Sequence, residues 1–334
     1  MRYEQVQEIH EAPPLVTIEK VLCICYSILY FFGTIGNMYV IGVICYVLIR
    51  SRHSFANKHV YIFILALSSV DFCVLAGVPF LLDKLVRRHW QFGVIGCRLQ
   101  ISTEFLGKLL STFFLLALNA DRLFAINRSL RIPCYRTMKG ASITIAVLSC
   151  LGLSIISYVF YYSYTDSMLH IVNQDNRTIV VRPYVACYFS PPNDGIFVLI
   201  VFFLGFVIPG LLIGVFYLLF YRRLHQHRKL RKFSVIPAAK ISRTILLVVS
   251  CYYACWSPYW IVTVLGNYLV PQRHLRVFVL ISHFVHLCPY LNSSINPILY
   301  ALLNKELRRD YATATTGLNL RDRMRLLSRA ETKA

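Results

Sequence analysis

Acidic side chains are the scarcest chemistry in this sequence. Only 15 Asp and Glu stand among 334 residues, against 35 Lys and Arg, and all charged residues together make up 15 % of a chain that is 57 % hydrophobic. So little charge excludes an ordinary soluble domain of this length, in which about a quarter of the residues are charged. Spacings for catalysis are missing too. Asp121-Arg122, the scattered histidines and the cysteines form no nucleophile–base or metal-ligand pattern, so an enzyme is not expected. Met1–Lys20 lacks an apolar core segment, so no secretory signal peptide is expected and the first hydrophobic run serves as the insertion signal. No two-fold internal repeat is visible, which argues against a proton- or ion-coupled carrier built from matched halves.

What the chain has instead is long hydrophobic runs. Val21–Ile49 contains no charged residue, and His59–Leu82, Cys97–Ile126, Ala141–Tyr164, Gly195–Tyr221, Ile241–Leu269 and Val277–Leu303 bring the runs to seven. Each is long enough to cross the roughly 30 Å of bilayer hydrocarbon as a helix. The expectation is an all-α membrane protein: a seven-transmembrane helix bundle over residues 21–303 behind an N-terminal segment 1–20. A short amphipathic surface helix over 304–311 and a tail over 312–334 would come after it. The net charge of +20 would suggest nucleic acid in a soluble protein, but its placement decides otherwise. Arg50, Arg52 and Lys58 follow the first run, Arg128, Arg131, Arg136 and Lys139 the third, and Arg222, Arg223, Arg228, Lys229, Arg231, Lys232 and Lys240 the fifth. The N-terminal segment is acidic through Glu4, Glu8, Glu11 and Glu19. By the positive-inside rule the N-terminus is extracellular and the tail cytoplasmic, in a multi-pass protein of the plasma membrane whose partner is lipid and not nucleic acid.

Polar residues inside the runs then call for a polar bundle interior. In the third run Cys97 and Arg122 lie about 37 Å apart along a helix axis, so they reach opposite sides of the membrane. Glu104, Lys108 and Ser111 between them share one helical face, which cannot meet lipid. Asp71 is the lone carboxylate in the middle of the second run and is expected either to be protonated or to bind a cation. Gly36-Asn37 places a small residue and an amide at membrane depth, and Pro79 should kink the second helix. Trp90-Gln91-Phe92-Gly93 reads as an outer turn with an interfacial aromatic. Cys97 and Cys187, at the outer ends of their segments, are the expected disulfide, and Asn176-Arg177-Thr178 in the long loop Thr165–Asp194 is the expected glycan site. Prolines mark the last runs: Pro209 ahead of Tyr217, Cys255-Trp256-Ser257-Pro258, and Asn292-Ser293-Ser294-Ile295-Asn296-Pro297 running on to Tyr300.

In their order along the chain these motifs resemble the rhodopsin-like (class A) G-protein-coupled receptors, from Val21 to Tyr311. The resemblance implies a ligand pocket at the outer end and a G-protein cavity at the inner end. It makes Asp71, Ser111, Asn292 and Asn296, beside Trp256, look like the family's allosteric sodium pocket, with no other cofactor. It makes Asp121, Arg122, Tyr217, Trp256, Pro258, Asn296, Pro297 and Tyr300 look like the groups that rearrange on activation. The turn at Trp90–Gly93, Pro79 and the third inner loop resemble the peptide branch, with its somatostatin, opioid, galanin and allatostatin receptors. The expected ligand is therefore an extracellular neuropeptide, and the expected partner a heterotrimeric G protein, of the inhibitory type by resemblance alone. A biogenic-amine receptor is the alternative. Candidate ligand contacts are Glu104, Lys108, Trp256, Tyr259, Trp260, Tyr290 and His286, the last equally readable as a packed histidine. Glu104 and Lys108, spaced i and i+4, read either as a structural ion pair or as two groups of which one meets the ligand. The sequence also departs from the family: Leu123 follows Arg122 where tyrosine is usual, Tyr252 replaces a phenylalanine, and Ala238 offers no acid to Arg122.

Overall fold

In the membrane every backbone N–H and C=O must be satisfied within the segment, so apolar runs of this length fold as helices. The computed structural model describes residues 13–50, 58–126, 137–174, 178–229, 235–268 and 275–303, together with Tyr311 and Thr315. The expected surface helix and tail lie outside those residues save for these two, as do most of segment 1–20 and the basic loop residues Arg52, Arg128, Arg131, Arg136, Arg231 and Lys232. Helix α1 is Pro13–Arg50, α2 Lys58–Ala76, α3 Val78–Arg87, α4 Gly93–Leu106, α5 Thr112–Ile126 and α6 Met138–Tyr162. After a hairpin come α7 Asp194–Phe202, α8 Ile208–Lys229, α9 Val235–Tyr268, α10 Leu275–Val285 and α11 Leu287–Leu303. Among the described residues, five helical stretches are long and apolar enough to cross a membrane, and α9 and the α10–α11 pair supply the sixth and seventh segments.

The burial pattern inverts that of a soluble protein. Asn37, Ser68, Asp71, Ser111, Asn119, Asn292, Ser293 and Asn296 are buried, while Phe31, Phe32, Ile35, Ile143, Leu151, Leu211 and Leu218 are exposed. An apolar belt outside and a polar seam inside fit hydrocarbon as solvent. Helix α1 packs on α2 and α11, α4 on α6, α5 on α8, and α9 on α11. Asn37 fastens the first of these contacts: its Nδ2 donates to Gly33 O at 2.9 Å and across to Ser293 O at 3.0 Å. Gly36 is small of necessity, because a Cβ there would stand 2.9 Å from Pro297 Cβ.

The second segment breaks at Gly77, and α3 starts afresh with Pro79 in its first turn, where a missing N–H costs nothing. The third and fifth segments each contain a π turn, Gly107–Ser111 between α4 and α5 and Phe203–Val207 between α7 and α8. The two π turns face each other. At their contact a Cβ on Gly205 would come within 2.8 Å of Lys108 O, so only glycine permits the approach.

The stretch expected to be a loop folds as an antiparallel hairpin, β1 Ser163–Gln174 and β2 Thr178–Phe189, with Ser163 opposite Phe189 and Thr165 opposite Cys187. The β-branched and aromatic residues Ile179, Val180, Val181, Tyr184 and Val185 carried that signal. Residues 175–177, with the expected glycan site Asn176, lie outside the described residues. Cys97 and Cys187 are joined as a disulfide, with Cα atoms 5.5 Å apart. The hairpin is also held by the turn after α3: Trp90 N donates to Val185 O at 2.8 Å, and Val185 N donates to His89 Nδ1 at 3.0 Å. Trp90 was expected at the interface. It is instead buried, its Nε1 donating to Gly93 O at 2.8 Å, because the indole is needed to close the turn on which the hairpin rests.

Candidate functional site

The polar residues divide into three groups along the bundle, beginning at the disulfide end. Under the hairpin lies a cavity of about 220 Å³ whose walls include Lys84, Trp90, Gln100, Glu104, Phe105 and Phe189. That is below the roughly 300–1,000 Å³ of sites that enclose a whole small ligand, so it suits one side chain of something larger. Glu104 is half-buried in its wall and accepts from Gln100 Nε2 at 3.3 Å.

Lys108, one turn further on, does not reach Glu104: no ion pair within 4 Å joins them among the described contacts. The structural-pair alternative is thereby corrected: Glu104 turns back to Gln100, and the Lys108 chain runs to Phe105 and Tyr259. One extra residue in the turn rotates the remainder of the helix by about 100° relative to a regular α-helix. Ser111, the last residue of the π turn, is therefore turned off the face expected to carry it in line with Glu104 and Lys108. The Lys108 ammonium lies instead 4.1 Å from the ring centre of Phe105 and 4.9 Å from that of Tyr259, with the residue only 7 % exposed. Two such ring contacts contribute about 0.5–2 kcal/mol each, less than the several kcal/mol that desolvating an ammonium costs. Its three N–H donors meet no acceptor among the described contacts. Tyr259 stands at the centre of an aromatic set, edge-on to Trp256 at 5.6 Å, Trp260 at 5.3 Å and His286 at 5.2 Å. Lys108, Trp256, Tyr259, Trp260 and His286 thus come together, and Tyr290, packed against Tyr26 of α1 at 5.4 Å, lies within electrostatic range of Glu104 and Tyr259. Gln100 and Phe105 were not foreseen from the sequence, and Phe105 could not have been singled out among so many apolar neighbours.

At mid-bundle Asp71 is wholly buried. Its Oδ1 accepts from Ser293 Oγ at 2.9 Å and its Oδ2 from Asn296 Nδ2 at 2.7 Å. Of the residues expected around it, Asn296 is in contact, while Ser111 Oγ and Asn292 Oδ1 are buried oxygens without a partner among the described residues. Ser293 was not foreseen as a partner; its neighbour Asn292 was expected in this group, and helix rotation alone decides. Between this group and the aromatic set, the Tyr252 hydroxyl meets the Thr112 hydroxyl and donates to Gly205 O at 3.3 Å. The residue that departs from the expected phenylalanine therefore ties the third, fifth and sixth segments together.

At the end opposite the disulfide, Asp121 is buried with His59 Nε2 3.0 Å from its Oδ1, a partner that the sequence did not suggest. Arg122 continues α5 and Tyr300 continues α11, but their side chains lie outside the described residues. Tyr217 packs on the core from α8, and Pro258 and Pro297 sit inside α9 and α11.

A seven-segment membrane bundle with a disulfide-roofed cavity at one end, a buried acid at the other and a polar seam between them defines the class as a heptahelical receptor. Residues 18–300 match the family described as 7 transmembrane receptor (rhodopsin family), and the chain belongs to it, as a multi-pass membrane protein. It is 30 % identical to the somatostatin receptor type 4 of Rattus norvegicus, over 89 % of this chain and 72 % of that protein. A Caenorhabditis elegans protein described as a probable G-protein coupled receptor is 28 % identical, over 87 % of this chain and 68 % of its own length. Neuropeptide receptor 18 of the same organism is 26 % identical, over 84 % and 64 % respectively.

Proposed function

We propose that this chain is a G-protein-coupled receptor for an extracellular peptide, with its N-terminus outside the cell. The observation that carries the reading is the cavity of about 220 Å³ under the hairpin, too small for a whole ligand yet lined by both Lys84 and Glu104. Such a cavity accepts one side chain of a larger molecule whose remainder rests on the hairpin and the helix ends. Binding there stabilises one arrangement of the bundle over another, a population shift and not a reaction. The transmitting parts are the aromatic set around Tyr259 and the Tyr252 hydroxyl, and the responding part is the end that bears Asp121 and Arg122. The peptides named in the relatives' descriptions support a peptide ligand, and the basic residues that come after the first, third and fifth runs support the orientation.

The mid-bundle oxygens fit a small hard cation such as sodium. Asp71 supplies a carboxylate, while Ser111 Oγ and Asn292 Oδ1 are buried without partners among the described residues and Asn296 adjoins the carboxylate. A bound cation would neutralise Asp71 and favour the packing in which these helices are close.

The reading is tested by reconstituting the receptor with purified heterotrimers of the inhibitory and stimulatory types and measuring guanine-nucleotide exchange while a neuropeptide library is screened. At least one peptide should raise exchange in wild type. Arg122→Ala should reach the surface and bind that peptide, yet fail to raise exchange; full signalling by this variant would remove Arg122 from the mechanism. For orientation, an N-terminal epitope should stain on intact cells, and glycosidase should shift the mobility of wild type but not of Asn176→Gln. Staining only after permeabilisation would reverse the topology.

A further inference from the structure

We propose that the ligand carries a carboxylate and that Lys108 receives it, in a subsite walled by Phe105 and Tyr259 and distinct from the cavity at Glu104. This rests on the receptor reading and names the chemistry of what the receptor binds. Lys108 is 7 % exposed, its ammonium stands 4.1 Å and 4.9 Å from two ring centres, and no acceptor is within reach of its donors among the described contacts. Ring faces attract a cation but accept no hydrogen bond in the plane where a carboxylate would, so three N–H groups await an acceptor. The obvious internal acceptor, Glu104, is turned toward Gln100.

Phe105 is the partition. It lines the cavity at Glu104 and carries Lys108 on its ring, so an acid and a base stand around one aromatic side chain. A ligand that matches both is bipolar: a cationic group toward Glu104, a carboxylate toward Lys108, and an apolar linkage over Phe105. A carboxylate suits the site better than a phosphate, because a single lysine among aromatic rings offers one positive charge and no guanidinium fork to neutralise a dianion. An uncharged carbonyl would accept a hydrogen bond but leave the charge unmatched. The opposite face of the subsite leads into α9, since Tyr259 touches Trp256 and Trp260, so an anion that draws the ammonium off Tyr259 acts on that helix directly.

The test uses the purified full-length receptor and two fragments that differ only in charge, phenylacetate and phenylacetamide, with affinity read from the shift in Tm against fragment concentration. In wild type, phenylacetate should bind at least about tenfold more tightly than phenylacetamide. That ratio should fall to about one in Lys108→Gln and persist in Lys108→Arg. Should Lys108→Gln not yield folded protein, Lys108→Met, whose apolar chain fits between the two rings, reads the same ratio. A ratio near one in wild type, or one that survives unchanged in Lys108→Gln or Lys108→Met, overturns the proposal. Guanine-nucleotide exchange measured on the same preparation separates the two readings. Exchange without a carboxylate preference ends this inference and leaves the receptor standing, whereas a carboxylate preference without exchange on any heterotrimer does the reverse.

Discussion

Asp71 shows what one residue does in this chain. A carboxylate with no exposure must be neutralised or solvated by its neighbours, and the two donors it has, Ser293 Oγ and Asn296 Nδ2, supply hydrogen bonds but no positive charge. The unpartnered oxygens of Ser111 and Asn292 are of the type that a hard cation collects. Replacing choline chloride by sodium chloride at equal ionic strength should therefore raise the Tm of the purified receptor, and Asp71→Asn should lose that difference. An undiminished sodium effect in Asp71→Asn would place the ion elsewhere. Residues of this kind are the most legible from sequence, because a lone acid within an apolar run has few ways to be stable. Its partners are less so: Ser293 lies between Asn292 and Ser294, and all three have polar side chains on one helix. His59 was silent for a different reason, since its partner Asp121 lies on another segment, 62 positions away in the numbering.

At the scale of the element, the two π turns decide most of what a helical reading misplaces. A period of 3.6 residues puts Ser111 on the face of Glu104 and Lys108, and a single wider turn at Gly107–Ser111 turns it away. Nothing in Gly-Lys-Leu-Leu-Ser announces that turn, because its cause is tertiary: the matching turn at Phe203–Val207 and the close approach at Gly205. Segment ends and the break at Gly77-Val78-Pro79 were legible through proline and charge, whereas the hairpin lay in a long stretch between two hydrophobic runs and read as a loop. Tyr252 clamps the two π turns through Thr112 and Gly205 O. Each buried hydrogen bond is worth about 0.5–1.5 kcal/mol net. Tyr252→Phe and Thr112→Val should each lower Tm by a few degrees, and the double variant should lose little more than the worse single one, because one interaction is removed twice. Fully additive losses would show that the two hydroxyls act independently.

For the whole molecule the question is how a hairpin outside the bundle becomes part of it. Three kinds of contact fasten it. The disulfide joins β2 to α4, hydrogen bonds join the Val185 backbone to the His89 imidazole and the Trp90 N–H, and Phe189 packs on Phe105 and Phe197 at 5.4 Å and 5.2 Å. The disulfide closes a loop of 90 residues that includes all of α6, and cross-links over long loops contribute on the order of 2 to 4 kcal/mol. The other anchors span short distances in space and persist when the bond is cut. Cys97→Ala and Cys187→Ala should therefore each lower Tm and surface expression by the same amount, and the double variant should be no worse than either single one. In all three the hairpin stays docked at Val185, so the peptide identified by the nucleotide-exchange screen should bind more weakly and not cease to bind. Adding Trp90→Ala to Cys97→Ala removes the second anchor, since the indole N–H that closes the turn at Gly93 is lost, and binding should then disappear while the purified bundle still gives a cooperative thermal transition. Complete loss of binding in the Cys97→Ala variant alone would mean that the disulfide, and not the turn, holds the roof. Unequal effects of the two cysteine changes would mean that one of them has a role beyond the bond.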